Sequence, residues 1–211
     1  MKTLVVAISG ASGAVYSRRL LEVVCTAGHR VRLTVSPAGA AVLRTELNLG
    51  TATASPEETA HTLAAPWQEQ IEIHSHTDLM APIASGSYLT AGMIILPCSG
   101  GTLSAIAHGG SSNLIQRAAQ VHLKERRKLI LVPRETPLSL VHLENMKQAH
   151  LAGAVILPAM PGWYHQVRSL DDLVDFVVAR ILDQLEIEHR LVQPWGSESA
   201  ESRKLPPDPS S

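Results

Sequence analysis

The 211-residue sequence has almost no net charge, only two cysteines and few aromatic residues. Its formal net charge is −1, so it lacks the basic excess that binding a nucleic-acid backbone requires, and we expect no nucleic acid as a partner. The two cysteines, Cys25 and Cys98, are too few for a disulfide framework. Aromatic residues make up only 3% of the chain, beside 45% hydrophobic and 18% charged residues, which is typical of a folded soluble α/β protein.

Long apolar runs are also missing. The first run, residues 4–8, is far too short for a membrane span or the core of a signal peptide. We therefore expect no membrane partner and a cytoplasmic location. The chain length fits one compact domain. We place this domain at residues 1–195 and predict that the polar, proline-rich residues 196–211 form a flexible tail.

Short apolar runs alternate with helical patterns along the chain. The runs predict strands at residues 3–8, 31–35, 71–74, 92–96, 129–132 and 154–157. Capping residues and apolar periodicity predict helices at 14–27, 37–47, from 55 onward, and at 102–108, 113–124, 139–152 and 169–185. This order indicates an α/β fold with a mostly parallel sheet and helices on both faces, whose ligands bind beyond the carboxyl ends of the strands.

Two small-residue loops follow predicted strands and open helices. Residues 9–14 carry Gly10, Ser12 and Gly13, and residues 97–102 carry two adjacent glycines. Backbone N–H groups at such helix starts bind phosphate. Tight turns and helix caps explain either loop alone, but two of them favour a mononucleotide site. Cys98, at a strand end, is expected to be a small apolar residue.

Charged and polar residues also follow the predicted strands. Arg134 and Glu135 come directly after one strand, where they form either a ligand contact or a weak surface ion pair. Arg117 and Lys124 lie two turns apart on one helix and can bracket an anion, although Lys124 also complements a helix terminus. His74 and His76 have ligand-like side chains, but without a third anchored ligand we expect no metal site.

Several motifs together resemble the UbiX/Pad1 flavin prenyltransferases, in order and correctly spaced from about residue 3 to residue 195. The motifs are Ile-Ser-Gly-Ala-Ser-Gly-Ala from residue 8, Ala-Ser-Gly-Ser from 84, Pro-Cys-Ser-Gly-Gly-Thr from 97, Asn-Leu-Ile-Gln-Arg from 113, Leu-Lys-Glu-Arg-Arg from 123, Pro-Arg-Glu-Thr-Pro from 133, and Pro-Gly-Trp-Tyr-His from 161.

This resemblance implies a Rossmann-like flavoprotein and a homo-oligomer, typically a dodecamer, with flavin sites between subunits. The implied reaction is a metal-independent transfer of dimethylallyl from dimethylallyl monophosphate to N5 and C6 of reduced FMN. A UbiD-type decarboxylase would receive the prenylated FMN. The implied FMN contacts are Gly10, Ala11, Ser12, Ser36, Ser99, Gly100, Gly101, Thr102 and Arg134.

The resemblance also assigns the donor site and the catalytic residues. The implied ligands of the dimethylallyl phosphate are Arg117, Lys124, Tyr164, Arg180 and Trp195, and the implied catalytic residues are Ser12, Lys124 and Glu135. Glu135 would relay protons, with help from Ser12. Trp195 would cap the isoprene chain, although simple anchoring of the tail explains it equally well. Some family members carry lysine after Cys-Ser, where this chain has Gly100 and Gly101, so a lysine contact there is not expected.

Two alternative functions stay open on sequence alone. One is a flavin-dependent cysteine decarboxylase of the same superfamily, although its Pro-x-Met-Asn substrate clamp is not found in this chain. The other is a non-catalytic FMN-binding protein, which would be expected to lack the phosphate ligands named above. The sequence does not choose between a monophosphate and a diphosphate donor.

Overall fold

A computed structural model describes residues 1–164 and 167–192 of the chain. The strands are β1 (Thr3–Ile8), β2 (Arg30–Val35), β3 (Ile71–His74), β4 (Gly92–Cys98), β5 (Leu129–Pro133) and β6 (Val155–Ile156). The helices are α1 (Ala14–Thr26), α2 (Pro37–Leu47), α3 (Pro56–Ala64), α4 (Gly100–Ala107), α5 (Leu114–Lys124), α6 (Leu140–Leu151) and α7 (Leu170–Gln184). The predicted tail at residues 196–211 and Trp195 lie outside the described residues and stay predictions.

Within the described residues, one parallel sheet has the strand order β3-β2-β1-β4-β5-β6. This is the strand order of Rossmann folds, and it confirms the predicted α/β architecture. The order reverses direction between β1 and β4, so the loops that follow these two strands diverge and leave a crevice. These are the two small-residue loops of the sequence.

Both faces of the sheet are covered by helices. On one face, Leu4, Val6 and Ile8 of β1 pack into a core that includes buried residues of α1, α2, α3 and α7. On the other face, Val5 and Ala7 pack into a second core with buried residues of α4, α5 and α6. The helices α5 and α7, which carry predicted donor-site residues, therefore lie on opposite faces of the sheet.

Local sequence accounts for most helix starts. Ser55, Ser139 and Ser169 cap α3, α6 and α7, each in a reciprocal capping box with the residue three positions later. The main difference from prediction is α4, which begins at Gly100 and not at residue 102. Ser99 explains this earlier start, because its side chain accepts a hydrogen bond from the Thr102 N–H and so caps the helix.

In the described ranges, we find no helix that combines the length and the apolarity needed to cross a membrane.

Candidate active site at the carboxyl edge of the sheet

The loops after β1 and β4 are tied together by Ser9. Its hydroxyl donates a hydrogen bond to the Pro97 carbonyl at 3.0 Å and accepts one from the Ser99 N–H at 2.8 Å. The side chain is 1% exposed, so water does not substitute for these bonds. Ser9 therefore sets the position of Ser99, the cap of α4, relative to β1. Sequence reasoning did not select Ser9, because its partners lie about ninety positions away along the chain.

The amino terminus of α4 is suited to an anionic group. Ser99 caps the helix and donates its hydroxyl proton to Thr102 Oγ1 at 3.1 Å. Among the described residues, none accepts a hydrogen bond from the N–H groups of Gly100 or Gly101. A Cβ added to Gly101 would meet no described atom within 4 Å, whereas one added to Gly100 would lie 2.7 Å from His142 Nε2. Open space beside free donors fits the phosphate or ring oxygens of a flavin nucleotide.

The amino terminus of α1 is capped by an acidic side chain from α2. The N–H groups of Gly13 and Ala14 donate to the Glu46 carboxylate, at 2.9 and 2.8 Å. Although burial opposes ionisation of Glu46, hydrogen bonds from Ser12, Gly13 and Ala14, together with the charge of Arg134, lower the pKa of this carboxyl below its ordinary value. Glu46 thus uses the Gly13 and Ala14 N–H groups, and a phosphate contact of the loop after β1 stays a prediction for Gly10, Ala11 and Ser12.

Glu46 belongs to a polar cluster at the carboxyl edge. Arg134 Nε donates to the Ser12 carbonyl at 3.1 Å, which joins the loop after β5 to the loop after β1. Glu135 follows with an exposed side chain whose carboxylate accepts the Thr136 N–H at 3.1 Å. The structure therefore brings Ser12, Arg134 and Glu135 to one edge, as the motifs imply. Glu46 is a lone acid on α2, and no local motif identifies it.

The remaining predicted FMN contacts lie in the same region. Ser36 caps α2, and its hydroxyl oxygen accepts the Gly39 N–H at 3.0 Å. Gly10 approaches Ala38 closely, because a Cβ on Gly10 would lie 2.4 Å from Ala38 Cβ. Ala11 is buried directly after Gly10. The loops after β1 and β2 thus pack against each other without room for larger side chains.

Arg117 and Lys124 lie elsewhere, beside a loop that precedes β4. Arg117 Nε donates to the Ala84 carbonyl at 3.1 Å, and Lys124 pairs with Glu125 at 2.6 Å. Lys124 precedes β5 whereas Arg134 follows it. At about 3.3 Å per residue, the five residues of β5 separate the two positions by roughly 16 Å along the strand. Lys124 is therefore at the opposite edge of the sheet from the small-residue loops after β1 and β4 of the same chain.

Tyr164 and Arg180 form a third group. They line a groove of about 750 Å³ between α7 and the segment that follows it, together with Phe176, Asp183, His189 and other residues of 179–192. The Tyr164 and Phe176 rings meet edge to face, with centroids 5.6 Å apart. This groove is on the α7 face of the sheet, across from α5. A single chain therefore does not bring Arg117 and Lys124 together with Tyr164 and Arg180.

Two other features do not join these groups. Cys98 is 1% exposed, and burial raises the pKa of its thiol to about 12, so it is an unreactive core residue. His74 is on the outer strand β3, where its Nε2 lies 3.5 Å from Glu72 Oε1. Glu72 also pairs with Arg32 of the neighbouring strand β2. Over residues 1–164 and 167–192, we find no cluster of three side chains that could hold a metal ion.

Comparison with known proteins identifies the family of this chain. The flavoprotein family model matches residues 1–182. A flavin prenyltransferase UbiX from Halalkalibacterium halodurans is 50% identical over 193 residues, which cover 92% of this chain and 93% of the relative.

Solved structures extend the comparison. The crystal structure of AnUbiX (PadA1) in complex with FMN and dimethylallyl pyrophosphate has a TM-score of 0.82 and 37% identity, and covers 94% of this chain and 99% of its own. A dodecameric FMN-dependent UbiX-like decarboxylase from Escherichia coli O157:H7 has a TM-score of 0.81 and 39% identity, over 92% of this chain and 98% of its own.

A cysteine decarboxylase, TvaF from thioviridamide biosynthesis, is only 15% identical with a TM-score of 0.57, and shares the fold alone. The family match over most of the chain and the UbiX relatives lead to one assignment. This chain belongs to the flavoprotein family and, within it, to the UbiX flavin prenyltransferases.

Proposed function

We propose that this protein transfers a dimethylallyl group from dimethylallyl monophosphate to N5 and C6 of reduced FMN, making prenylated FMN for a UbiD-type decarboxylase. The observation that carries the proposal is the cluster of Ser12, Glu46, Arg134 and Glu135 at the carboxyl edge of the sheet. The same edge holds the start of α4, whose first N–H groups have no partner among the described residues. Reduced FMN, when bound, supplies the electron-rich ring that accepts the prenyl group.

The FMN phosphate and ring oxygens would be held by the two loops at the strand-order reversal. Gly100 and Gly101 offer backbone donors at the positive end of α4. The Ser12 and Ser36 hydroxyls and the Arg134 guanidinium, from the loops after β1, β2 and β5, would add further contacts at the same edge of the sheet. The fixed positions of these groups, set partly by Ser9, orient the flavin for transfer.

Glu135 would act as the proton relay. It is exposed at the carboxyl edge, next to Arg134, so it can deliver a proton to a departing phosphate and later accept the proton released from the ring. Glu46 is hydrogen bonded to Ser12 and lies close to the same edge, and its lowered pKa keeps it ionised. We propose that Glu46 holds the Ser12 hydroxyl in place and that this hydroxyl assists the proton relay of Glu135.

The donor phosphate would be bound by Arg117, Lys124, Tyr164 and Arg180, whose cations and hydroxyl stabilise charge on the leaving group. Because one chain holds these residues on two faces of the sheet, we propose that neighbouring chains combine them into one site. Apolar side chains exposed on the α6 side support such contacts, namely Leu140, Val141, Leu143 and Leu151, with Met160 and Trp163 nearby in the chain. We propose a dodecamer, with Trp195 as a cap on the isoprene chain, and a cytoplasmic location.

The direct test is anaerobic incubation of the purified protein with reduced FMN and dimethylallyl monophosphate, followed by mass spectrometry of the released flavin. A flavin heavier by one five-carbon unit is the expected product. A parallel reaction with the diphosphate establishes the donor preference. Unmodified FMN at saturating levels of both donors would refute the proposed transfer and would favour a non-catalytic flavin-binding protein.

Subunit complementation tests the shared site. Glu135→Gln is expected to turn over slowly, and Lys124→Ala is expected to have little activity alone. When the two variants are co-expressed, random assembly gives about a quarter of the sites both intact residues, provided that these residues come from different chains. Recovery of about that fraction of wild-type activity is expected, and no recovery would place both residues of one site in one chain.

A further inference from the structure

Asp183 connects the predicted phosphate ligand Arg180 to the segment after α7. Asp183 Oδ2 accepts a hydrogen bond from Arg180 Nη1 at 2.7 Å, and Asp183 Oδ1 accepts one from His189 Nε2 at 3.0 Å. Each carboxylate oxygen therefore holds one side chain. The Arg180 and Asp183 side chains are 55% and 42% exposed, so their ion pair by itself contributes little to stability.

His189 is the most buried member of this chain of hydrogen bonds. Its side chain is only 10% exposed, and both ring nitrogens have partners. Nδ1 accepts the Leu191 N–H at 3.4 Å, so in the neutral ring Nε2 carries the proton that Asp183 accepts. Ile187, two residues earlier, is buried in the core beside α7. Ile187 thus anchors the segment in the core, and His189 presents a donor to Asp183.

We propose that His189 and Asp183 are positioning residues for Arg180 in binding the donor phosphate. Arg180 has five N–H donors, of which the contact with Asp183 uses one, so the guanidinium keeps enough donors for a bidentate phosphate contact. Asp183 limits the rotation of a long side chain that lines the same groove as Tyr164. This inference rests on the proposed function, because it assumes that Arg180 binds the dimethylallyl phosphate.

His189 is the better position to test. Removal of Asp183 would also remove a negative charge close to the phosphate and would change the electrostatics together with the geometry. Substitution of His189 leaves the charges of Arg180 and Asp183 in place. His189→Gln keeps an N–H donor close to the position of Nε2, whereas His189→Ala removes it. His108→Ala, at an exposed position after α4, is the matched control.

The measurement is the Kd of dimethylallyl monophosphate for the protein loaded with oxidised FMN, by calorimetry without turnover, and then KM and kcat with reduced FMN. His189→Ala is expected to raise Kd and KM about 3-fold to 5-fold, the size expected from loss of one exposed polar coupling. We expect kcat and the Kd of FMN to be unchanged. His189→Gln and His108→Ala should behave as wild type.

A double-mutant cycle separates positioning from a general structural effect. In the Arg180→Ala background, His189→Ala should cause no further loss of donor affinity. An equal loss in both backgrounds, or no loss in the wild-type background, would overturn the inference. If Arg180→Ala itself leaves donor affinity unchanged, the inference also fails, while formation of the five-carbon adduct by the wild type would still uphold the proposed function.

Discussion

Replacement of Ser9 by alanine is expected to weaken both the fold and the flavin site. The substitution removes the acceptor of the N–H of Ser99, the residue that caps α4. The Pro97 carbonyl keeps a second hydrogen bond, from the Ser9 N–H at 3.2 Å, so the orphaned Ser99 donor dominates the loss. A buried donor without a partner costs about 1 to 3 kcal/mol, and we expect a loss near 2 kcal/mol.

Ser17→Ala is the matched control. Ser17 is also fully buried, and its hydroxyl donates one bond, to the Leu96 carbonyl at 2.7 Å, on the same strand β4. Its removal should cost about 1 kcal/mol, but it leaves the cap of α4 in place. In thermal unfolding, the Tm of Ser9→Ala should be about 4 to 8 °C below that of wild type, since 1 kcal/mol corresponds to roughly 2 to 4 °C in a domain of this size.

The assay that separates the two serines is FMN titration followed by fluorescence. Ser9→Ala should weaken FMN binding about fivefold, which corresponds to about 1 kcal/mol, because the N–H groups of Gly100 and Gly101 move with Ser99. Ser17→Ala should bind FMN as wild type. Both measurements need equal protein concentrations, because association adds to stability. Equal FMN affinities for the two variants would refute the assignment of Ser9 as the link between the loops.

Four further substitutions test the same edge of the sheet. Glu46→Gln should lose about 1 kcal/mol of stability at pH 7, as expected for a helix cap. Because the folded pKa of Glu46 is lowered, its contribution is present above the ordinary glutamate pKa and is lost as the pH falls through the folded value, so wild type and variant should converge in unfolding experiments in acid. Glu135→Gln should retain FMN binding in titrations but turn over slowly, since shape is kept while the relay proton is lost; unchanged kcat would remove it from the mechanism. Gly39→Ala should lower the free energy of unfolding by about 1 to 3 kcal/mol, since the new Cβ would lie 2.5 Å from a β1 carbonyl oxygen. Gly101→Ala should unfold like wild type, because its Cβ meets open space, but it should bind FMN less tightly, because that space is where we propose that FMN binds.

Local sequence predicted the elements of this fold well, because their signals act over a few residues. The serines that cap α3, α6 and α7 bond to residues three positions ahead, within reach of any sequence pattern. The alternation of strand and helix then predicts a parallel sheet, in which loops after strands share one edge. This is why Ser12, Ser99 and Arg134 were expected close together from their positions alone.

Tertiary structure decided which distant groups meet. Ser9 accepts a hydrogen bond from Ser99 only because β1 and β4 are neighbours in the sheet. Glu46 caps α1 only because the end of α2 lies beside the start of α1. The placement of Lys124 and Arg180 on opposite faces follows from how each helix crosses the sheet, which residue spacing does not encode. The sequence by itself therefore determined the elements and the two small-residue loops at the carboxyl edge. The partners of Glu46 and His189, and the division of the proposed donor ligands between two faces, depend on long-range packing.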